Sequence, residues 1–175
     1  MPEQVQLFRL FVGAPSDVDE PLDIIRGQIE QWNRDHGPLT RARVEFTNWR
    51  THSHPAAGAR PQSLVNKQVV DHCDILVAVF WLRFGTPTGA AESGTEEEIR
   101  RCIKKGKTVM VYFAQLPTPR QRKDRDEFAR IEKIKKKIGS RALYHIYTDL
   151  SGFEEAFRQH LAGAMNDLLK KHSSR

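Results

Sequence analysis

Seven consecutive apolar residues, Ile75-Leu76-Val77-Ala78-Val79-Phe80-Trp81, follow Asp74 with no polar residue to offer a solvent face. A strand sends successive side chains to opposite faces, so a run of this kind must be covered on both. Parallel sheets with helices on each side meet that condition, whereas half-exposed antiparallel sheets would show alternation. Strand and helix signals alternate five times around this run. Val5 to Val12 and Val44 to Trp49 read as the first two strands, and Thr108 to Phe113 and Leu143 to Tyr147 as the last two. Between them, apolar residues recur at helical spacing. Leu22, Ile25, Ile29 and Trp32 stand behind the capping-box pattern Ser16-Asp17-Val18-Asp19, and Val65, Val69 and Cys73 behind Pro61. Ile99, Cys102 and Ile103 follow Thr95; Phe128, Ile131 and Ile134 follow the fourth strand. The clearest stripe is the last one, Phe153, Ala156, Phe157, Leu161, Ala164 and Leu168.

Five β-α units without a long insertion predict an α/β fold. The expected form is a single doubly wound five-stranded parallel sheet in the flavodoxin-like order 2-1-3-4-5, with helices on both faces. At 175 residues and 39% hydrophobic content the chain supports one core, so one domain is expected over residues 1–175, its core about 5–170. No apolar stretch approaches the roughly 20 residues of a membrane span, and no signal-peptide layout opens the chain. Two cysteines, Cys73 and Cys102, lie in apolar settings without C-x-x-C spacing. They read as reduced core thiols, and the chain as a cytoplasmic protein.

The net charge of +6 is uneven: residues 100–141 hold 15 Lys/Arg against 4 Asp/Glu, and the remainder 13 against 18. Such a flank is either a solvated helix face or a contact surface for an acidic partner. Direct nucleic-acid binding is not expected, because Phe128 is the only aromatic between Gln121 and Lys137.

Open α/β sheets bind ligands outside the carboxyl ends of their strands, at the point where strand order reverses. Here that point lies between the first and third strands. It brings Gly13-Ala14-Pro15-Ser16-Asp17 beside the segment Leu82 to Thr95, with the loop after Trp49 on the other flank. The first loop is neither a Walker loop nor a dinucleotide fingerprint, though its backbone amides can meet a phosphate or sugar oxygen. An aspartyl-phosphate receiver would need carboxylates where the first strand ends, and this one ends Phe11-Val12-Gly13. His52-x-His54 has no third ligand of suitable spacing, so no metal is expected. What remains is Ser93-Gly94-Thr95-Glu96-Glu97-Glu98, at the entry to a helix. With Ile99, Cys102 and Ile103 facing the sheet, about 100° per residue sends Glu97 to solvent. Glu96 and Glu98 then flank the buried stripe, and periodicity does not choose between them. Thr95-x-x-Glu98 also spells a capping box, in which Glu98 reaches back to the Thr95 amide.

Ser93-Gly94-Thr95-x-x-Glu98-Ile99, followed by Lys104-Lys105-Gly106-Lys107-Thr108-Val109-Met110, resembles nucleoside 2-deoxyribosyltransferases and bacterial TIR-like domains. The TIR-like branch in question is the one fused to signalling NTPases and antiphage effectors. Leu10-Phe11-Val12-Gly13-Ala14-Pro15-Ser16-Asp17-Val18 is similar to that branch, as are Arg60-Pro61-Gln62, Asn66-Lys67-Gln68 and Phe80-Trp81-x-Arg83-x-Gly85-Thr86-Pro87-Thr88-Gly89. The likeness runs over roughly residues 7 to 160, without the Ser-Tyr opening and Trp-Cys pair of animal TIR domains.

The resemblance implies that a helix glutamate, Glu98 by motif position, acts on an N-glycosidic bond, with NAD as substrate and no cofactor. Around it, Ser93 or Thr95 would hold Glu98 or a ribose hydroxyl, with Gly94 between them. Trp81 and Phe84 would stack a base, and Arg50 or Arg83 would pair with pyrophosphate. Each has a plainer reading: Trp81 finishing the core, the arginines as loop cations, Ser93-Gly94 as a turn before a cap. Glu98 is expected to be ionised, since a helix N-terminus favours negative charge. The implied function is NAD cleavage in antiphage defence or nucleotide signalling, with self-association on activation. The trigger would come from a sensor domain elsewhere in a longer protein or from a separate partner. The alternatives are deoxyribosyl transfer between bases and a non-catalytic assembly module.

Overall fold

A computed structural model describes residues 4–54, 57–117, 125–140 and 142–173. Five strands, β1 (Gln6–Gly13), β2 (Ala42–Thr47), β3 (Ile75–Phe80), β4 (Thr108–Ala114) and β5 (His145–Tyr147), form one sheet. Their order is β2-β1-β3-β4-β5 and every pairing is parallel, as the sequence predicts. All six residues of β3 are buried, with Val77 level with Val12 on one side and Met110 on the other.

Alternation along the strands divides the core in two. Leu10, Val12, Val77 and Val79 face α1 (Asp19–Asp35) and α7 (Leu150–Ser173), meeting Ile25, Ile29, Phe153 and Phe157. Phe11, Leu76, Ala78 and Phe80 face the opposite layer, formed by α5 (Gly94–Lys104) and α6 (Arg125–Gly139). There they meet Ile99, Cys102, Ile131 and Ile134, together with Val69 and Val70. Fully buried side chains of this size each contribute about 2 kcal/mol from apolar burial. Two one-turn helices, α2 (Gly37–Thr40) and α3 (Trp49–His52), join α1 to β2 and leave β2. Next come α4 (Pro61–Gln68) and a 3-10 turn at Val70–His72. Among the described residues no helix is long and apolar enough to cross a membrane.

Local chemistry moves several boundaries away from the sequence expectation. β2 stops at Thr47 because Asn48 caps α3: its Oδ1 accepts from Thr51 N at 3.0 Å and Thr51 Oγ1 at 2.7 Å. Trp49 therefore belongs to a helix and not to the strand. No side chain caps α1, and Ser16–Asp19 is not a capping box: the helix starts only at Asp19, with Val18 as its N-cap, and Ser16 Oγ accepts from Arg83 instead. β5 begins only at His145, leaving Leu143 95% exposed. Ile103 and Phe128 are exposed where periodicity expects burial. Phe128 stands on the first turn of α6, ahead of the stripe Ile131, Ile134 and Ile138 that meets the sheet.

Cys73 and Cys102 are free, buried thiols with their sulfurs 3.9 Å apart. The basic flank is neither wholly solvated nor wholly free. Lys133 pairs with Glu92 at 2.7 Å and Lys137 with Glu96 at 3.4 Å, clamping α6 to the entry of α5, while Lys136 is exposed. Arg122 and Lys123 lie outside the described residues.

Candidate active site

A cleft of about 1180 Å³ opens at the carboxyl edge of the sheet. Ala14, Pro15 and Ser16 from the loop after β1 line it, together with Trp49 and Arg50 of α3 and Pro61, Gln62 and Val65 of α4. Leu82, Arg83, Gly85 and Thr86 from the loop after β3, Gly94, Thr95 and Glu98 of α5, and Arg125, Glu127 and Phe128 of α6 close it. The β1 and β3 loops are stitched together. Asp17 Oδ2 accepts from the backbone N–H groups of Leu82 and Arg83, both at 3.0 Å, and Arg83 donates to Ser16 Oγ at 3.2 Å. The two loops therefore lie side by side, where the topology rule places them.

The three glutamates at the entry of α5 have separate surroundings. Ser93, fully buried, is the N-cap, and its Oγ accepts from Glu96 N at 3.2 Å. Glu96 Oε2 accepts from Glu92 N at 3.0 Å. Capping thus falls to Ser93 and Glu96, the Thr95-x-x-Glu98 capping box does not form, and Glu98 is released for other use. Glu97 is not in solvent. It accepts from Asn66 Nδ2 at 2.9 Å, from Arg60 at 3.2 Å and from the Thr88 hydroxyl. Burial alone would raise its pKa, but those hydrogen bonds and the Arg60 charge hold it below the usual range.

Glu98 is 3% exposed. Its Oε1 accepts from Gln62 Nε2 at 3.0 Å, and its Oε2 is buried without a hydrogen-bond partner among the described residues. Oε2 rests against Gly13, where a Cβ would stand 2.1 Å from it. Burial pushes the Glu98 pKa up to about 8; Gln62 opposes the shift, and Cys73 and Glu97 add to it. Loss of hydration outweighs the helix N-terminus, so the expectation of an ionised Glu98 is corrected: at neutral pH burial favours the carboxylic acid. A cation bound beside it would pull the carboxyl back toward ionisation.

The other expected site residues divide. Ala14, Pro15, Ser16, Arg50, Arg83, Gly94 and Thr95 line the cleft with Glu98. Gly13, Asp17 and Ser93 do not; they support it through contact with Glu98, the loop stitch and the helix cap. Trp81 and Phe84 are not in the cleft wall either. Trp81 packs against the α1–α7 core, and Phe84 lies 5.9 Å from Phe80 in a stacked pair, with Arg130 4.9 Å from its ring. The aromatic side chains that do line the cleft are Trp49 and Phe128, both of which sequence reasoning placed elsewhere. Gln62, the hydrogen-bond partner of Glu98, carried no signal beyond its place in Arg60-Pro61-Gln62. His52 meets Thr51 Oγ1 at 2.7 Å and His54 meets Gln68 at 3.3 Å, both local contacts. Among the described residues no group of three or more His, Cys, Asp or Glu side chains is placed to hold a metal ion.

A family profile described as "Domain of unknown function (DUF4062)" matches residues 19–162. No curated protein matches the sequence. Among solved structures, apo translation elongation factor SelB from Methanococcus maripaludis aligns with a TM-score of 0.54 at 13% identity, over 93% of this chain and 37% of that one. Rubredoxin oxygen:oxidoreductase from Desulfovibrio gigas aligns with a TM-score of 0.46 at 13% identity, over 98% and 38%. Oxidised flavodoxin 1 from Bacillus cereus gives 0.42 at 14% identity, over 92% and 97%. The chain spans only 37% of the elongation factor, and the likeness to it is one of fold alone.

Proposed function

The chain belongs to that DUF4062 family, and we propose that within it this domain is a TIR-like NAD glycohydrolase acting through Glu98. The observation that carries the reading is one buried, half-unpartnered carboxyl in the wall of a large cleft at the carboxyl edge of the sheet. The nicotinamide ring of NAD is cationic, which suits a carboxyl that ionises when positive charge arrives. In the reaction the bond between C1′ of the ribose and the ring nitrogen breaks. Its electron pair goes to the ring, which leaves neutral and needs no proton. C1′ becomes an oxocarbenium centre, which the Glu98 carboxylate stabilises or traps until water adds and a proton is released. At about 4 Å and an effective dielectric of about 20, such a charge pair is worth about 4 kcal/mol, on the order of a thousandfold in rate.

Incubation with NAD, and separately with a deoxynucleoside plus a free base, tests the proposal. Release of nicotinamide supports it, base exchange without nicotinamide release favours a deoxyribosyltransferase, and neither favours a non-catalytic module. The value of kcat/KM should rise with pH through about 8, because the carboxylate is the working form and the free protein holds its proton to that point. In kcat the same limb should lie lower, since the bound cation favours ionisation. A role in antiphage defence or nucleotide signalling is part of the same proposal and rests on the resemblance.

A further inference from the structure

The cleft, about 1180 Å³, is roomier than one ring and one ribose require, and two exposed aromatic side chains line it. Trp49, 46% exposed, stands just after β2, and Phe128, 59% exposed, stands on the helix that follows β4. Between β2 and β4 lie β1 and β3, so the strands that lead into these two residues are three spacings apart, on the order of 14 Å. Glu98 on α5, the helix after β3, enters the cleft between them in strand order.

Trp49 is held out for contact and is not packed away. The Asn48 cap fixes α3, and the Arg50 guanidinium lies 5.7 Å from the indole centroid. Asp19, the carboxylate paired with Arg50 among the described residues, is 3.6 Å away on a well-exposed side chain. A loose, hydrated pair of this kind contributes little, and a phosphate can take the place of the aspartate. Pro61 and Val65 line the same cleft, as does Gln62, which holds Glu98. An indole face beside a half-exposed guanidinium is the pairing that a nucleobase followed by phosphate requires.

We propose that the Trp49–Arg50 end of the cleft is a nucleoside-diphosphate subsite, with the base against Trp49 and the phosphates on Arg50. It gives the site its preference for a dinucleotide over a mononucleotide. That preference rests on the reading of Glu98 as the reaction centre, but the subsite itself does not.

Adenosine diphosphate is the probe, because it fills the subsite and contains no nicotinamide bond. Titration of the whole chain, followed by calorimetry and tryptophan fluorescence, should show saturable binding with a change in indole emission. Trp49→Ala should weaken it at least tenfold, Trp49→Phe by much less, and Arg50→Ala at least tenfold with a shallower salt dependence. Phe128→Ala should leave it within about twofold. Thermal melts identify any variant that fails to fold; Trp49 and Arg50 are exposed enough that these should melt as the parent does. Absence of binding to the folded parent, equal affinity in Trp49→Ala, or loss confined to Phe128→Ala would overturn the proposal. Binding as expected without NAD cleavage upholds the subsite and sinks the hydrolase reading; nicotinamide release without diphosphate binding does the reverse.

Discussion

A methyl group on residue 13 would meet Glu98 Oε2 at 2.1 Å and the carboxyl carbon at 3.3 Å. The atoms in the way are the end of a flexible side chain, so Gly13→Ala should cost little stability, about 1 kcal/mol, while turning the carboxyl out of place. Nicotinamide release should fall at least tenfold with the melting temperature nearly unchanged; parental activity would show that the position of Oε2 is unimportant. Glu98 itself should destabilise the fold at alkaline pH. The folded carboxyl keeps its proton to about 8, whereas the unfolded one loses it near 4.5, so the unfolded state binds fewer protons in between. Stability therefore falls as pH rises across that window. Glu98→Gln should melt above the parent at pH 8 and level with it at pH 4; an equal or lower melt at pH 8 would contradict the buried, proton-holding carboxyl. In the sequence, motif position singles out Glu98. The burial that raises its pKa, and the Gln62 hydrogen bond that opposes the rise, come instead from the packing of segments distant in the chain, such as Gly13 against Oε2. Trp81 and Phe84 misled because an aromatic at the end of a strand has the same local pattern whether it faces core or cleft.

At the scale of elements, the entry of α5 works as a junction. Ser93 and Glu96 close the helix end, Glu97 gathers Arg60, Asn66 and Thr88, and Lys133 and Lys137 bring α6 against it. Glu97 was expected in solvent, where its substitution would be silent. With Asn66 buried against it, Glu97→Gln should instead cost about 2 kcal/mol at pH 7, the range of hydrogen bonds to a charged group. Because the folded pKa is lowered, that stabilisation is present above about 4.5 and lost as pH falls through the folded value. Denaturant melts at pH 7 and at pH 3 check this: the gap between parent and variant should narrow in acid, and no gap at pH 7 would count against the network. The long helices were readable from apolar spacing, and Pro61 marks the start of α4 as expected, while the one-turn helices and the capping residues were not readable. The cap of α5 fell on Ser93 and that of α3 on Asn48 because short polar side chains there meet backbone amides of their own turn, a competition that periodicity does not register.

For the whole molecule, the apolar run of β3 and five alternations were enough to give the parallel sheet and its 2-1-3-4-5 order, and hence the edge where the cleft opens. The span of that cleft from Trp49 to Phe128 was not readable, since it depends on how far α3 and α6 project beyond the sheet. Self-association remains a proposal drawn from the resemblance, in which a neighbouring copy completes the site. It predicts that nicotinamide release per subunit rises with protein concentration; a constant rate in a confirmed monomer, from dilute to concentrated, would refute it. The central claim is that Glu98 carries the reaction. Nicotinamide release from NAD by the parent and by Glu98→Gln, both folded and compared at pH 8, tests it most directly. The amide keeps the shape and removes the charge, so release should fall at least about a hundredfold. Release at the parental rate would contradict the account.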